Sequence, residues 1–445
     1  MNSQHLFKYS KSHAIVKNYV AFLQSFYYSE ICVIDPENVP ESGPVIFAPN
    51  HQNALMDALA VLYIIKRQAV FMARADIFKK KLISEILTFL KIIPVYRIRD
   101  GINSMSQNDE SFNIVLKALE YGQVVGIMPE GGHGDLHRLM PLKKGISRLA
   151  FKAQEKMGNS MNVKIVPVGI EYSHYINFRS KLLVIYGKPI EVNEYWDDYI
   201  ANPPKTLIIL QERLATEMKK LMLNIDSTEY YDLIVTLKNI YARRLQKIFE
   251  LRDDYYGRFL AEKIITDKLI NLANKNSDIL KSLQPLVTEY CNGMKRLELR
   301  DWLFDFKMPK TKTVLFDALR YLIFLPFFLI AITVNFIPYY ISVHFSNRIE
   351  DTQFRSSYKF VVTLVLFPVF YLLLLIFPLP LIFKLLVIIT MPIFGVLSFD
   401  YFILLKKLWA KIRYFKMMRE NNYELTGLKL VRNQIIHKLD DIFQS

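Results

Sequence analysis

Only two cysteines occur in 445 residues, Cys32 and Cys291, far apart and in no metal-ligand spacing. No disulfide framework is expected, and both thiols are read as buried and inert in a reducing compartment. The chain has no G-x-S-x-G elbow, no Walker loop and no G-x-G-x-x-G turn. Those gaps exclude the usual serine hydrolases, P-loop enzymes and dinucleotide binders. No serine or cysteine sits in the surroundings of an activated nucleophile. Zinc-finger spacing, RNA-binding signatures and basic-aromatic platforms are absent too, so nucleic acid is not an expected partner. Residues 1–20 hold no compact apolar core and no small-residue cleavage site, and no signal peptide is expected there.

What the chain does have is positive charge and apolar length. The formal net charge is +15, and 52% of residues are hydrophobic. A basic balance suits anionic partners, either acidic headgroups or phosphorylated substrates. Residues 321–343, "YLIFLPFFLIAITVNFIPYYISV", are long enough to span a bilayer. Residues 360–405 are almost continuously apolar. As one helix they would run roughly 70 Å, over twice the hydrocarbon thickness, so a break is expected at Pro378 and Pro380. Basic flanks (Lys307, Lys310, Lys312 and Arg320 before, Lys406, Lys407, Lys411, Arg413 and Lys416 after) favour cytoplasmic ends on both sides. Crossing helices and shallow hairpins both remain open, since the connector 344–359 is itself basic. Residues 14–34 are aromatic and amphipathic. They read either as an interfacial helix with Lys17 at the headgroups or as a helix packed on the next domain.

Between these ends, residues 40–192 alternate β-rich and helix-like segments. The strands are expected at 45–50, 69–74, 91–98, 123–130, 163–172 and 182–190, and helices at 53–66, 77–89, 108–121 and 144–157. Such alternation predicts an α/β domain with a mostly parallel sheet flanked by helices. Residues 205–312 turn Leu/Lys/Glu-rich with helical period, as a helical extension of amphipathic helices. The expected order is thus an amphipathic N-terminal helix (1–34), an α/β domain (35–200), the extension (205–312), membrane-embedded helices or hairpins (319–405) and a basic amphipathic C-terminal helix or tail (406–445).

The polar motifs fall at strand ends, where α/β sheets bind ligands. "NHQNALMD" (50–57) follows the first strand. One reading is a helix started by Asn53 as its cap, with a surface His. The other is a catalytic pair. A His51–Asp57 contact then needs His51 on the loop and Asp57 one turn into the helix, so that the carboxylate holds one imidazole nitrogen and the other faces a hydroxyl. "MPEGGHGD" (128–135) places Glu130 at a strand end before a turn eased by Gly131, Gly132 and Gly134. His133 and His137 have no further partner spacing to suggest a metal, and none is expected. Arg74 and Arg97 near strand ends suit a phosphate, which guanidinium grips with paired bonds.

Taken in order, these pieces resemble the glycerolipid acyltransferases, which act on glycerol-3-phosphate or 1-acylglycerol-3-phosphate. The blocks "NHQNALMD", "IIPVYR", "MPEGGH" and "VKIVPVGI" match the family's four in sequence order. Five residues rather than four separate His51 from Asp57, and "EGGHGD" stands where the family has Glu-Gly-Thr-Arg. Both departures are similar to the fungal-type branch acting on glycerol-3-phosphate or dihydroxyacetone phosphate. The resemblance implies His51 as general base oriented by Asp57. It implies an acceptor site formed by Arg74, Arg97, Glu130, Gly131 and Gly132, with Arg138 in place of the missing Arg. Asn50, Asn53 and Pro167 would give oxyanion or structural support. Acyl-CoA or acyl carrier protein would be the co-substrate, with no cofactor. The partners would be a phosphorylated glycerol or lysophospholipid acceptor and the lipid bilayer, and the domain would lie on the cytoplasmic face. An inactive membrane-anchored lipid-binding or scaffold protein on the same fold is the alternative.

Overall fold

Val45–Pro49 (β2) is an unbroken apolar pentad, the pattern of a strand covered on both faces. It lies at the centre of an eight-stranded sheet in the computed structural model, which describes residues 4–96, 104–134, 136–158, 161–306, 311–376, 378 and 380–444. The N-terminal stretch contributes helices α1 (Gln4–Phe7) and α2 (Lys11–Tyr27) and strand β1 (Glu30–Ile34). After β2 come α3 (Leu55–Leu62), β3 (Ala69–Arg74), α4 (Lys81–Phe89), β4 (Ile92–Val95), α5 (Ser104–Glu120) and β5 (Val124–Gly126). Then follow α6 (Gly145–Met157), β6 (Lys164–Tyr172), β7 (Lys181–Tyr186), β8 (Ile190–Glu191), α7 (Trp196–Ala201) and α8 (Pro203–Lys220).

The strand order is β1-β7-β6-β2-β5-β3-β4, with β8 beside β6. Every pairing is parallel except β6 with β7 and β6 with β8. The α/β domain with a mostly parallel sheet is therefore present. Side chains alternate across it. Ile46 and Ala48 join the core formed with α5, α6 and α8, while Phe47 between them turns to the other face against Tyr186. The Tyr186 hydroxyl donates to Val61 O of α3, fixing that helix on the second face.

The chain divides into two compact units. One comprises residues 1–224 with 349–358, the other 225–348 with 359–445. Two expected boundaries and one side-chain placement change. Residues 30–34 ("EICVI") are not helix but the edge strand β1, parallel to β7. The β-branched run outweighs the helical pattern before it. Lys17 does not reach outward to headgroups, because its amine is tied to the carbonyls of Ile65 and Arg67. The α/β unit also runs past residue 200. Leu210, Leu214 and Met218 of α8 are buried in its core, so this helix belongs to the sheet rather than to the extension.

In the second unit, α9 (Tyr231–Ile248), α10 (Tyr255–Lys275) and α11 (Asp278–Arg296) form a bundle. Helices α12 (Thr311–Asn347), α13 (Thr352–Leu373) and α14 (Leu381–Arg419) follow. Ala318–Asn347, Thr352–Leu373 and Leu381–Arg419 are each long and apolar enough to cross a membrane. The break between the last two contains Pro378 and Pro380, as expected. These three helices meet at a buried amide. Asn335 on α12 donates to Met391 O on α14 and accepts from the Tyr371 hydroxyl of α13. The C-terminal region is not one tail. α14 runs through to Arg419, and α15 (Tyr423–Gln444) buries Leu428, Val431, Ile435 and Leu439 in the bundle core.

Candidate active site

β2 ends at Pro49, and the next residue locks the strand end. The buried Asn50 side chain accepts from Ile170 N at 2.7 Å and donates to Ile170 O at 3.0 Å on β6. Both halves of its amide bond the backbone of β6, so the Asn50 side chain ties the end of β2 to its neighbour. His51 then leaves the sheet with its main chain held at two points. Its N–H donates to Glu130 Oε1 at 2.8 Å, and its carbonyl accepts from Gly134 N at 3.3 Å.

His51 Nδ1 lies 2.9 Å from Asp57 Oδ2. The same oxygen accepts Gln52 N at 2.9 Å and Asn53 N at 2.7 Å. The other, Oδ1, accepts the Tyr172 hydroxyl at 2.9 Å. Asp57 is 1% exposed and His51 14%. A carboxylate so surrounded by donors acts as an acceptor only, which places the shared proton on Nδ1 and leaves a lone pair at Nε2. Among the described residues Nε2 has no hydrogen-bond partner. Geometry therefore decides for a His–Asp pair over a helix cap and a stray carboxylate.

Asn53, expected as the cap of the helix, does not cap it. Helix α3 starts at Leu55, and Ala54 stands before it at φ 45°, ψ −123° without a side-chain cap. With Met56 N bonded to Asn53 O at 3.0 Å, residues 53–56 form a type II′ turn with Ala54 at its first corner. That corner absorbs the fifth residue between His51 and Asp57. Asp57, in the first turn of the helix, reaches back instead to the loop before it, its carboxylate taking the Gln52 and Asn53 N–H groups. Asn53 is buried and donates through Nδ2 to Tyr175 O at 3.2 Å.

Glu130 is 1% exposed, and both its oxygens are taken by main-chain N–H groups, His51 through Oε1 and Met140 through Oε2, each at 2.8 Å. It shapes the site through the backbone rather than by offering an oxygen to a substrate. Burial pushes its carboxyl up to about 7, against the pull of those two N–H groups and of the His51 ring. In the loop beyond, Gly131 has φ +66°, a conformation that needs glycine, while a side chain at Gly132 would meet open space. His133, discounted as a metal ligand, lies with its ring 4.0 Å from that of His51. Burial lowers its pKa to about 4, and the His51 and Arg74 charges act in the same direction.

Arg74 ends β3 and pairs with Asp76 at the surface. Arg97 and Arg99 lie outside the described residues. Arg138 sits half-buried in the glycine loop, its N–H on Leu136 O at 2.7 Å. Pro167 is a strand residue of β6 opposite Ala48, with its carbonyl accepting Gly187 N at 2.8 Å, and supports the sheet. The residues that sequence reasoning missed are Tyr172, which holds the second Asp57 oxygen, and Ser356 and Ser357, which reach Asn53 and Leu55. Nothing in the local sequence joins residues 115 or 302 positions apart.

Part of the chain is similar to known acyltransferases. Residues 30–171 match the Acyltransferase family model. Glycerol-3-phosphate O-acyltransferase 2 of Saccharomyces cerevisiae is 27% identical over 59% of this chain and 37% of its own length. Glycerol-3-phosphate O-acyltransferase 1 of the same yeast is 34% identical over 29% of this chain and 17% of its own. The 1-acyl-sn-glycerol-3-phosphate acyltransferase of Bacillus subtilis is 25% identical over 44% of this chain and 89% of its own. The matches thus span well under half of either yeast relative.

Proposed function

We propose, from the match of residues 30–171 to the Acyltransferase family model, a membrane-associated O-acyltransferase that moves a fatty acyl group from acyl-CoA or acyl carrier protein to a phosphorylated glycerol acceptor. The acceptor is glycerol-3-phosphate, with a lysophospholipid such as lysophosphatidate as the second choice. The observation that carries the proposal is the oriented His51 with Nε2 unengaged at the end of the central strand. In this reading Nε2 takes the proton of the acceptor hydroxyl as its oxygen bonds to the thioester carbonyl carbon. The tetrahedral intermediate collapses with cleavage of the C–S bond, and the imidazolium returns the proton to the leaving thiolate. Asp57 stabilises the imidazolium throughout. No covalent acyl-enzyme forms, in keeping with a sequence that offers no activated nucleophile.

Arg74 and Arg97 would hold the acceptor phosphate. The three apolar helices would anchor the protein, and their basic flanks argue for a cytoplasmic active site. The test is an assay of the purified full-length protein in vesicles. Labelled acyl-CoA and acyl carrier protein are each offered with glycerol-3-phosphate, dihydroxyacetone phosphate, lysophosphatidate and non-phosphorylated lipids. Label should enter a phosphorylated glycerol acceptor. Transfer to none of them would leave the inactive scaffold as the reading.

A further inference from the structure

Residues 349–358 belong to the unit that holds His51 and Asp57, although residues 225–348 of the other unit precede them in the chain. They comprise the connector after α12 and the first turns of α13, two candidate membrane spans. Their side chains meet the His51–Asp57 loop by two routes. Ser357 Oγ accepts Leu55 N at 3.1 Å, at the start of the helix that presents Asp57, and lies 3.5 Å from Asn53 O. Ser356, fully buried, donates its hydroxyl to Asn53 Oδ1. On the second route the Phe354 ring packs 5.0 Å from His133, whose own ring lies 4.0 Å from His51.

The type II′ turn explains why such support matters. A turn with a non-glycine residue at φ 45° is held only if its surroundings fix it. The Leu55 N–H belongs to the first turn of α3, where no carbonyl of the helix can accept it. Asp57 covers Gln52 and Asn53, and Ser357 covers Leu55. Removing the serine hydroxyl leaves that half-buried N–H without its partner, in the same turn that presents Asp57.

We propose that Ser356 and Ser357 are positioning residues for acyl transfer, so that the opening turns of α13, a candidate membrane span, complete the active site. They act through the Asn53–Leu55 turn on the His51–Asp57 geometry and touch neither substrate. The proposal rests on the acyltransferase reading, and its failure is separable from failure of that reading.

The experiment uses the full-length protein in phosphatidylethanolamine/phosphatidylglycerol vesicles, with acyl-CoA and glycerol-3-phosphate as probes. Ser357→Ala should lower kcat about tenfold, as small misplacement of a reacting pair does, with KM for both substrates within about twofold. Ser357→Thr, which keeps the hydroxyl, should restore most of the loss. Combined with Asp57→Asn, the serine variant should cost much less than it does alone, since both act on one pair. Hydrogen exchange should quicken in the segment around Leu55 and stay unchanged over the sheet. Wild-type kcat in both Ser356→Ala and Ser357→Ala, or full additivity with Asp57→Asn, overturns the positioning role. A wild-type protein inert toward every acceptor overturns the acyltransferase reading instead.

Discussion

Asp57→Asn isolates the charge behind His51 with little change of shape. The amide oxygen can still accept Gln52 N, Asn53 N and His51 Nδ1, and the Tyr172 hydroxyl can turn to accept from the new NH2 group. What disappears is the negative charge facing an imidazolium that forms only as the acceptor hydroxyl is deprotonated. For unit charges about 4 Å apart at an effective dielectric near 20, the attraction is about 4 kcal/mol, an upper bound for a pair that water reaches on one side. Half to all of it corresponds to a loss of about 30-fold to about 1,000-fold in kcat/KM. The loss should fall on kcat, because the ground state holds a neutral ring. Steady-state acylation by the variant in vesicles measures this. Asp57→Ala provides the contrast. It also strands two N–H groups and one hydroxyl, so it should unfold about 3–5 kcal/mol more easily. An Asp57→Asn enzyme within threefold of wild type would refute the charge argument and leave Asp57 a brace for the loop at Gln52 and Asn53.

Ala54→Gly should stabilise the protein by about 1 kcal/mol, because glycine adopts the II′ corner without a Cβ penalty. The midpoint of denaturant unfolding reports it, and a destabilised variant would exclude that turn. Glu130 and His133 should tilt stability in opposite directions with pH. Glu130, raised to about 7, contributes stability that is full below about pH 4.5 and is lost as pH rises through 7. His133, lowered to about 4, contributes stability that is full above about pH 6.5 and is lost as pH falls through 4. Relative to wild type, Glu130→Gln should therefore gain stability with rising pH across this window and His133→Phe should lose it, read from melting temperatures between pH 4.5 and 7. Slopes of equal sign would remove one of the two groups from the buried site. Arg74→Ala and Arg97→Ala should each raise KM for a phosphorylated acceptor about tenfold or more while leaving that for acyl-CoA unchanged. An unchanged acceptor KM removes that arginine from the phosphate site.

The parallel sheet was legible because its central strands are uniformly apolar and the segments between them carry helical period. β1 was not, since "EICVI" directly continues an aromatic helical stretch with no glycine or proline to mark the change. The His–Asp pair was legible as a motif, but its geometry turned on a turn that nothing announced. Residues 53–56, "NALM", put alanine where a II′ corner favours glycine. The roles of Asn50 and Glu130 were hidden for a related reason. Their partners are backbone groups on other segments, which side-chain patterns do not record. Helix α8 and helix α15 share the amphipathic composition of the helices beside them in sequence, so only packing assigns the first to the sheet and the second to the bundle.

The most direct test of the account is acyl transfer by His51→Ala beside wild type, each purified full-length and reconstituted in vesicles. His51 is partly exposed and, among the described residues, its ring hydrogen-bonds Asp57 alone, so the variant should fold. Wild type should acylate a phosphorylated glycerol acceptor, and His51→Ala should lose at least about a thousandfold in kcat while keeping the wild-type unfolding transition. A folded His51→Ala protein that turns over at a rate near wild type would contradict the mechanism at its centre.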